Sequence, residues 1–77
     1  MINFELDLVD NSSVAISIMD MNGRTIRSMK LGELEAGLHT IEWKGDNDSQ
    51  VKQSSGIYFG HILIGDKVKM IKMSLQK

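Results

Sequence analysis

The 77-residue sequence predicts an all-β domain, an antiparallel β-sandwich, and three observations carry that prediction. The apolar residues recur with a period of two rather than 3.6. Clusters of Gly, Asn, Asp and Ser interrupt them roughly every ten residues, the spacing of short strands joined by turns. Proline is absent, so no strand is barred from a central position in a sheet.

The elements follow in order. Ile2, Phe4, Leu6 and Leu8 alternate with Asn3, Glu5 and Asp7, which is the pattern of a half-buried strand. Asp10-Asn11-Ser12-Ser13 is a polar turn. Val14, Ile16 and Ile18 mark a second strand. Asp20-Met21-Asn22-Gly23 contains Asn-Gly, whose two residues tolerate the positive φ of a tight hairpin turn. Thr25 to Leu31 reads as the return strand, with Ile26 pointing inward. Gly32 to Gly37 reads as a loop. His39 to Trp43 is a fourth strand with His39, Ile41 and Trp43 on one face, and the single tryptophan is expected between the sheets. Residues 44–53 form a polar loop. A fifth strand opens at Ser55 or Gly56 and runs to Ile64. Gly65-Asp66 is a tight turn into a last strand, Lys67 to Leu75.

Two strands depart from simple alternation. The fifth is apolar on both parities, with Tyr58, Ile62 and Ile64 on one and Ile57, Phe59 and Leu63 on the other. A chain this short has little left to cover a second apolar face, so the stripe is expected to meet a partner. The last strand switches parity from Val68 and Met70 to Ile71, Met73 and Leu75, and a β-bulge near Met70–Ile71 would account for it.

Composition narrows the function classes. The chain is 42% hydrophobic and 25% charged, which fits one small globular domain over residues 1–77. A net charge of −1 gives no global footprint for nucleic acid or an anionic membrane. With no cysteine there are no disulfides and no thiolate metal sites. No apolar run approaches the ~18 residues of a membrane-spanning helix. The charge is unevenly spread: Lys67, Lys69, Lys72 and Lys77 lie in a tail without acids, as lysines would that either guard an edge strand or take part in recognition.

Catalytic patterns are weak. His39 and His61 are the only histidines, and no serine sits in a nucleophile elbow. Asp46-Asn47-Asp48 offers oxygen ligands suited to calcium, with Asp46 and Asp48 as the candidates, but the following residues lack the spacing of a calcium loop. Asp and Asn are equally at home in a turn that bonds its own backbone. The residues thus point to a non-enzymatic chain without cofactor, working through its surface.

Four motifs in order carry a resemblance. They are Val14-x-Ile16-x-Ile18-x-Asp20-x-x-Gly23-Arg24, then Leu34-Glu35-Ala36-Gly37-x-His39-Thr40-Ile41-x-Trp43-x-Gly45, then Ser55-Gly56-Ile57-Tyr58-Phe59, then Lys72-Met73-x-Leu75-x-Lys77. Together they resemble the C-terminal sorting domain of type IX secretion cargo in Bacteroidetes, and the related Ig-like domain of the flagellar hook-capping protein. The resemblance implies an Ig-like sandwich of about seven strands at the end of a larger secreted protein. The sorting family implies export through the periplasm to the outer-membrane surface or beyond. Its partners would be the secretion translocon, a surface sortase and the chain's own upstream cargo domain. By position, the family's recognition residues fall on Gly56, Tyr58, Phe59, Lys72, Met73, Leu75 and Lys77. The alternative is an Ig-like spacer or docking module of a secreted or flagellar protein. The stripe Ile57, Phe59 and Leu63 also makes a homodimer of the isolated fragment an expectation.

Overall fold

The computed structural model describes residues 2–76 and is all-β. Six strands follow in order: β1 (Ile2–Leu8), β2 (Ser12–Met19), β3 (Thr25–Leu34), β4 (Gly37–Trp43), β5 (Gly56–Ile64) and β6 (Lys67–Leu75). They form two antiparallel sheets, a pair β1-β4 and a four-stranded sheet in the order β3-β2-β5-β6. Lys77 lies outside the described residues.

Alternation sorts each strand into an inner and an outer row. From β1 and β4, Leu6, Leu8, Ile41 and Trp43 are buried; from β2, Val14, Ile16 and Ile18. The four-stranded sheet adds Tyr58 and Ile62 from β5, and Met73 and Leu75 from β6. Burying one such side chain contributes about 1.5–3 kcal/mol, so this cluster is what holds two thin sheets together. Trp43 sits between the sheets as expected, 1% exposed. Its ring stands edge-on to Tyr58 at 5.2 Å between centroids, and its Nε1 donates to the Asp46 carbonyl at 2.8 Å.

Two connections differ from the sequence expectation, each for a local reason. The β2–β3 hairpin does not use a two-residue Asn-Gly turn. Gly23 N donates to the Asp20 carbonyl at 3.0 Å, and Gly23, at φ 84°, takes the left-handed position alone. Asp20 fixes this wider turn by accepting from Asn22 N at 2.9 Å and Arg24 N at 3.0 Å. In addition, β3 runs on through Gly32 to Leu34 instead of ending at Leu31. Gly32 at φ 71° absorbs an extra residue where the β2–β3 register shifts between Val14 and Ala15. This is a bulge of the glycine-dependent kind.

The bulge expected at Met70–Ile71 is absent. The β5–β6 register runs unbroken from Gly56↔Leu75 to Ile64↔Lys67. The parity switch is instead a change of which face is apolar. Ile71, Met73 and Leu75 point inward where β1 and β4 cover them. Val68 and Met70 point outward.

Six strands are described rather than the expected seven or so. Part of the free edge of β3 is occupied by the 44–55 loop. Asp48 N donates to the Ile26 carbonyl at 3.1 Å, and Ser28 N donates to Asp48 Oδ1 at 3.0 Å. One residue thus imitates two rungs of a neighbouring strand.

Candidate functional site

The outer face of the four-stranded sheet carries the feature that the core does not explain. On β5 the outward row is Ile57, Phe59, His61 and Leu63. The β6 register sets Lys72 opposite Phe59, Met70 opposite His61 and Val68 opposite Leu63. On the other side, β2 sets Met19 opposite Phe59, Ser17 opposite His61 and Ala15 opposite Leu63. The result is an apolar stripe along β5 and β6 that no element of the described chain covers. Leu63 is 42% exposed, Val68 56% and Met70 58%. Scattered surface hydrophobics are ordinary, but these side chains are register neighbours on one face.

The residues that the resemblance singled out divide by face. Phe59 is half-buried on the outer face and Lys72 is exposed there. Gly56 is exposed at the start of β5, opposite Leu75. Tyr58, Met73 and Leu75 are core residues, 5%, 5% and 4% exposed. The Tyr58 hydroxyl donates inward to the Ser54 carbonyl at 2.6 Å. These three cannot touch a partner while the sandwich is intact, which corrects their placement in a recognition surface. Gly60 shares that inward parity on β5, and its missing side chain makes room for Ile71. A Cβ there would stand 2.9 Å from Ile71 Cγ1.

Sequence reasoning missed Met19, Val68, Met70 and Arg27. The hairpin could have revealed two of them, because counting outward from Gly65-Asp66 pairs Val68 with Leu63 and Met70 with His61. Arg27 gave no such indication. Its Nη1 donates to the Asn47 carbonyl at 3.2 Å and lies 4.0 Å from Asp46 Oδ1, while its Nε lies 4.0 Å from Asp48 Oδ1.

That arrangement also accounts for the acidic loop. Asp48 Oδ1 accepts from Ser28 N, and Asn47 Oδ1 accepts from Ser49 N and Val51 N, both at 2.9 Å. Asn47 Oδ1 is thus engaged by the loop's own backbone, Asp48 Oδ1 by the backbone of β3, and the Oδ1 atoms of Asp46 and Asp48 both stand beside Arg27. No group of three or more His, Asp or Glu side chains that could hold a metal occurs among the described residues.

Other chemistry is equally sparse. His39 Nε2 lies 2.6 Å from the Glu35 carbonyl. His61 stands across from Ser17 on the open outer face, and no carboxylate among the described residues pairs with it. A cleft of about 600 Å³ opens at one end between the β1–β2 and β5–β6 turns. Asp7 and Asp10 line it from one side, Lys67 and Lys69 from the other, and they form no ion pair across it.

Comparison with known proteins decides between the two families that the sequence resembles. The profile of the FlgD Ig-like domain matches residues 2–59. The chain belongs to that family. As an FlgD-type Ig-like domain, it is 38% identical over 45 residues to the basal-body rod modification protein FlgD of Salmonella typhimurium, and to that of Salmonella typhi by the same measure. The match covers 58% of this chain and 19% of each relative, so the chain spans about a fifth of their length. A crystal structure of FlgD from P. aeruginosa has a similar fold, with a TM-score of 0.75 at 23% identity over 94% of this chain and 55% of that one. The sorting-domain resemblance finds no support in these matches. The profile ends at Phe59, so the likeness in sequence rests on β1 to β4 and the first residues of β5, while Leu63, Val68 and Met70 lie beyond it.

Proposed function

We propose that this FlgD-type Ig-like domain is a non-catalytic protein-docking module of a flagellar rod- or hook-building protein, and that its partner in that assembly binds the outer face of β5 and β6. The single observation that carries this reading is the apolar stripe of Phe59, Leu63, Val68 and Met70, register neighbours on one face that no described element covers. Family membership and the rod-modification name of the Salmonella relatives support the flagellar setting. An exported location beyond the inner membrane goes with the proposal.

A sorting signal read by a secretion translocon has less support. Two residues on which it leans, Met73 and Leu75, are core residues. Removing residues 73–77 would therefore unfold the domain before it tested recognition.

The cleaner experiment charges the outer face alone. Leu63→Asp and Met70→Asp, introduced into the full-length protein, should leave the domain folded and stop it from supporting flagellar assembly. The check is thermal unfolding of the domain together with motility of the complemented strain. A folded double variant that supports normal motility would contradict the proposal.

A further inference from the structure

We infer that the outer face takes an amphipathic α-helix of a partner protein, apolar along one ridge and acidic on both flanks. The inference rests on the docking reading above and adds the partner's chemistry.

Shape is the first argument. From Ile57 to Leu63 the stripe runs about 20 Å along β5 at about 3.3 Å per residue. Four turns of helix cover about 22 Å. Across the strands, the apolar positions lie on β5 and β6 with Met19 at one margin, so the stripe is roughly 10–14 Å wide at about 4.8 Å per strand. A helix with its side chains is about 10 Å across. A strand added to the β6 edge would satisfy backbone groups but leave the stripe open to water.

Charge is the second argument, and it selects among helices. The outward charged positions flanking the stripe are Lys72 on β6, opposite Phe59, and Lys30 on β3, opposite Ala15 of β2. Both are exposed, and among the described residues neither ammonium is in an ion pair or hydrogen bond. Glu33 and Asp66 lie at the end marked by the Gly65 turn, and Asp48, the one acid set against the β3 edge among the described residues, sits 4.0 Å from the Arg27 Nε. Rim charges of one sign steer a partner of the other sign and repel a like one. The same reasoning disfavours a second copy, because two such faces would bring lysines together over the shared apolar stripe.

Two synthetic helical peptides of about four turns test this on the 77-residue chain. Both carry the same leucine ridge; one has glutamate flanks and the other lysine flanks. At low ionic strength the glutamate peptide should bind at least about tenfold more tightly, and salt near 1 M, where the Debye length is about 3 Å, should narrow the gap. Lys30→Glu with Lys72→Glu should reverse the preference. Leu63→Asp should abolish binding of both, and Val68→Asp serves as the second variant if Leu63→Asp lowers the unfolding temperature. Equal binding of the two peptides, binding of neither, or dimerisation of the chain alone that Leu63→Asp removes would each overturn the inference. Those results leave the docking reading to the motility test. Tight binding of the acidic peptide with normal motility of the charged-face variant would instead sink the docking reading alone.

Discussion

At the residue scale, small groups with exact surroundings decide whether the sandwich closes. Gly60 occupies an inward position because Ile71 fills the space its side chain would take. Gly60→Ala should therefore destabilise the chain by about 1–3 kcal/mol, the usual cost of overpacking a core, and urea unfolding measures it. A neutral result would mean that Ile71 rotates away without cost. Asp20 works through hydrogen bonds rather than packing. Its carboxylate accepts from Arg24 N and Asn22 N beside the Arg24 guanidinium, and these hold its pKa below the ordinary aspartate value. A depressed folded-state pKa means that the charged form stabilises the fold at neutral pH. That contribution is lost as pH falls from the ordinary value through the folded one. Asp20→Ala should lower the unfolding temperature at pH 7 and lose its effect in strong acid, which thermal scans across that range can follow.

At the element scale, the unusual piece is the loop that stands in for an edge strand. Arg27, Asn47 and Asp48 hold the 44–55 loop against β3, with Asp48 supplying both a donor and an acceptor to that edge. Asp48→Ala removes the acceptor for Ser28 N and should cost about 0.5–1.5 kcal/mol, or roughly 2–12 °C in Tm for a chain of this size. Amide exchange at Ser28 should accelerate selectively, and unchanged protection there would contradict the strand-mimic role. This loop also shows where the sequence stopped being readable. Strand β1 was legible from its strict alternation, and the end of β5 and the start of β6 from the Gly65-Asp66 turn that fixes them locally. The extension of β3 through Gly32 was not, because a bulge depends on the partner strand's register. The role of Arg27 was hidden for the same reason, since its carbonyl partner lies twenty positions away.

At the scale of the whole molecule, the sheets are unequal: two strands cover one face of four, and the other face is left to water or a partner. The doubled apolar pattern of β5 announced that second face in the sequence. What the sequence concealed was which β6 residues join it. Met73 and Leu75 belong to the core and Val68 and Met70 to the surface, a division that only the unbroken hairpin register reveals. Substitutions in the two sets should therefore separate cleanly. Met73→Ala should cost about 2–5 kcal/mol, while Val68→Asp should change stability by about 0.5 kcal/mol or less, the scale of an ordinary surface substitution. Denaturant titration compares the two directly, and equal losses would mean that the faces are not distinct.

The methionines offer the most direct test, because they are distributed over both faces. Met19 and Met70 lie on the outer face, Met29 and Met73 pack with the core, and Met21 lies in the β2–β3 turn. Methyl NMR of the methionine-labelled chain, titrated with isolated flagellar rod and hook components, reads all of these positions in one spectrum. The Met19 and Met70 signals should shift or broaden while those of Met29 and Met73 stay in place. A response confined to Met21 or to the core methyls, or none at all, would contradict docking on the outer face.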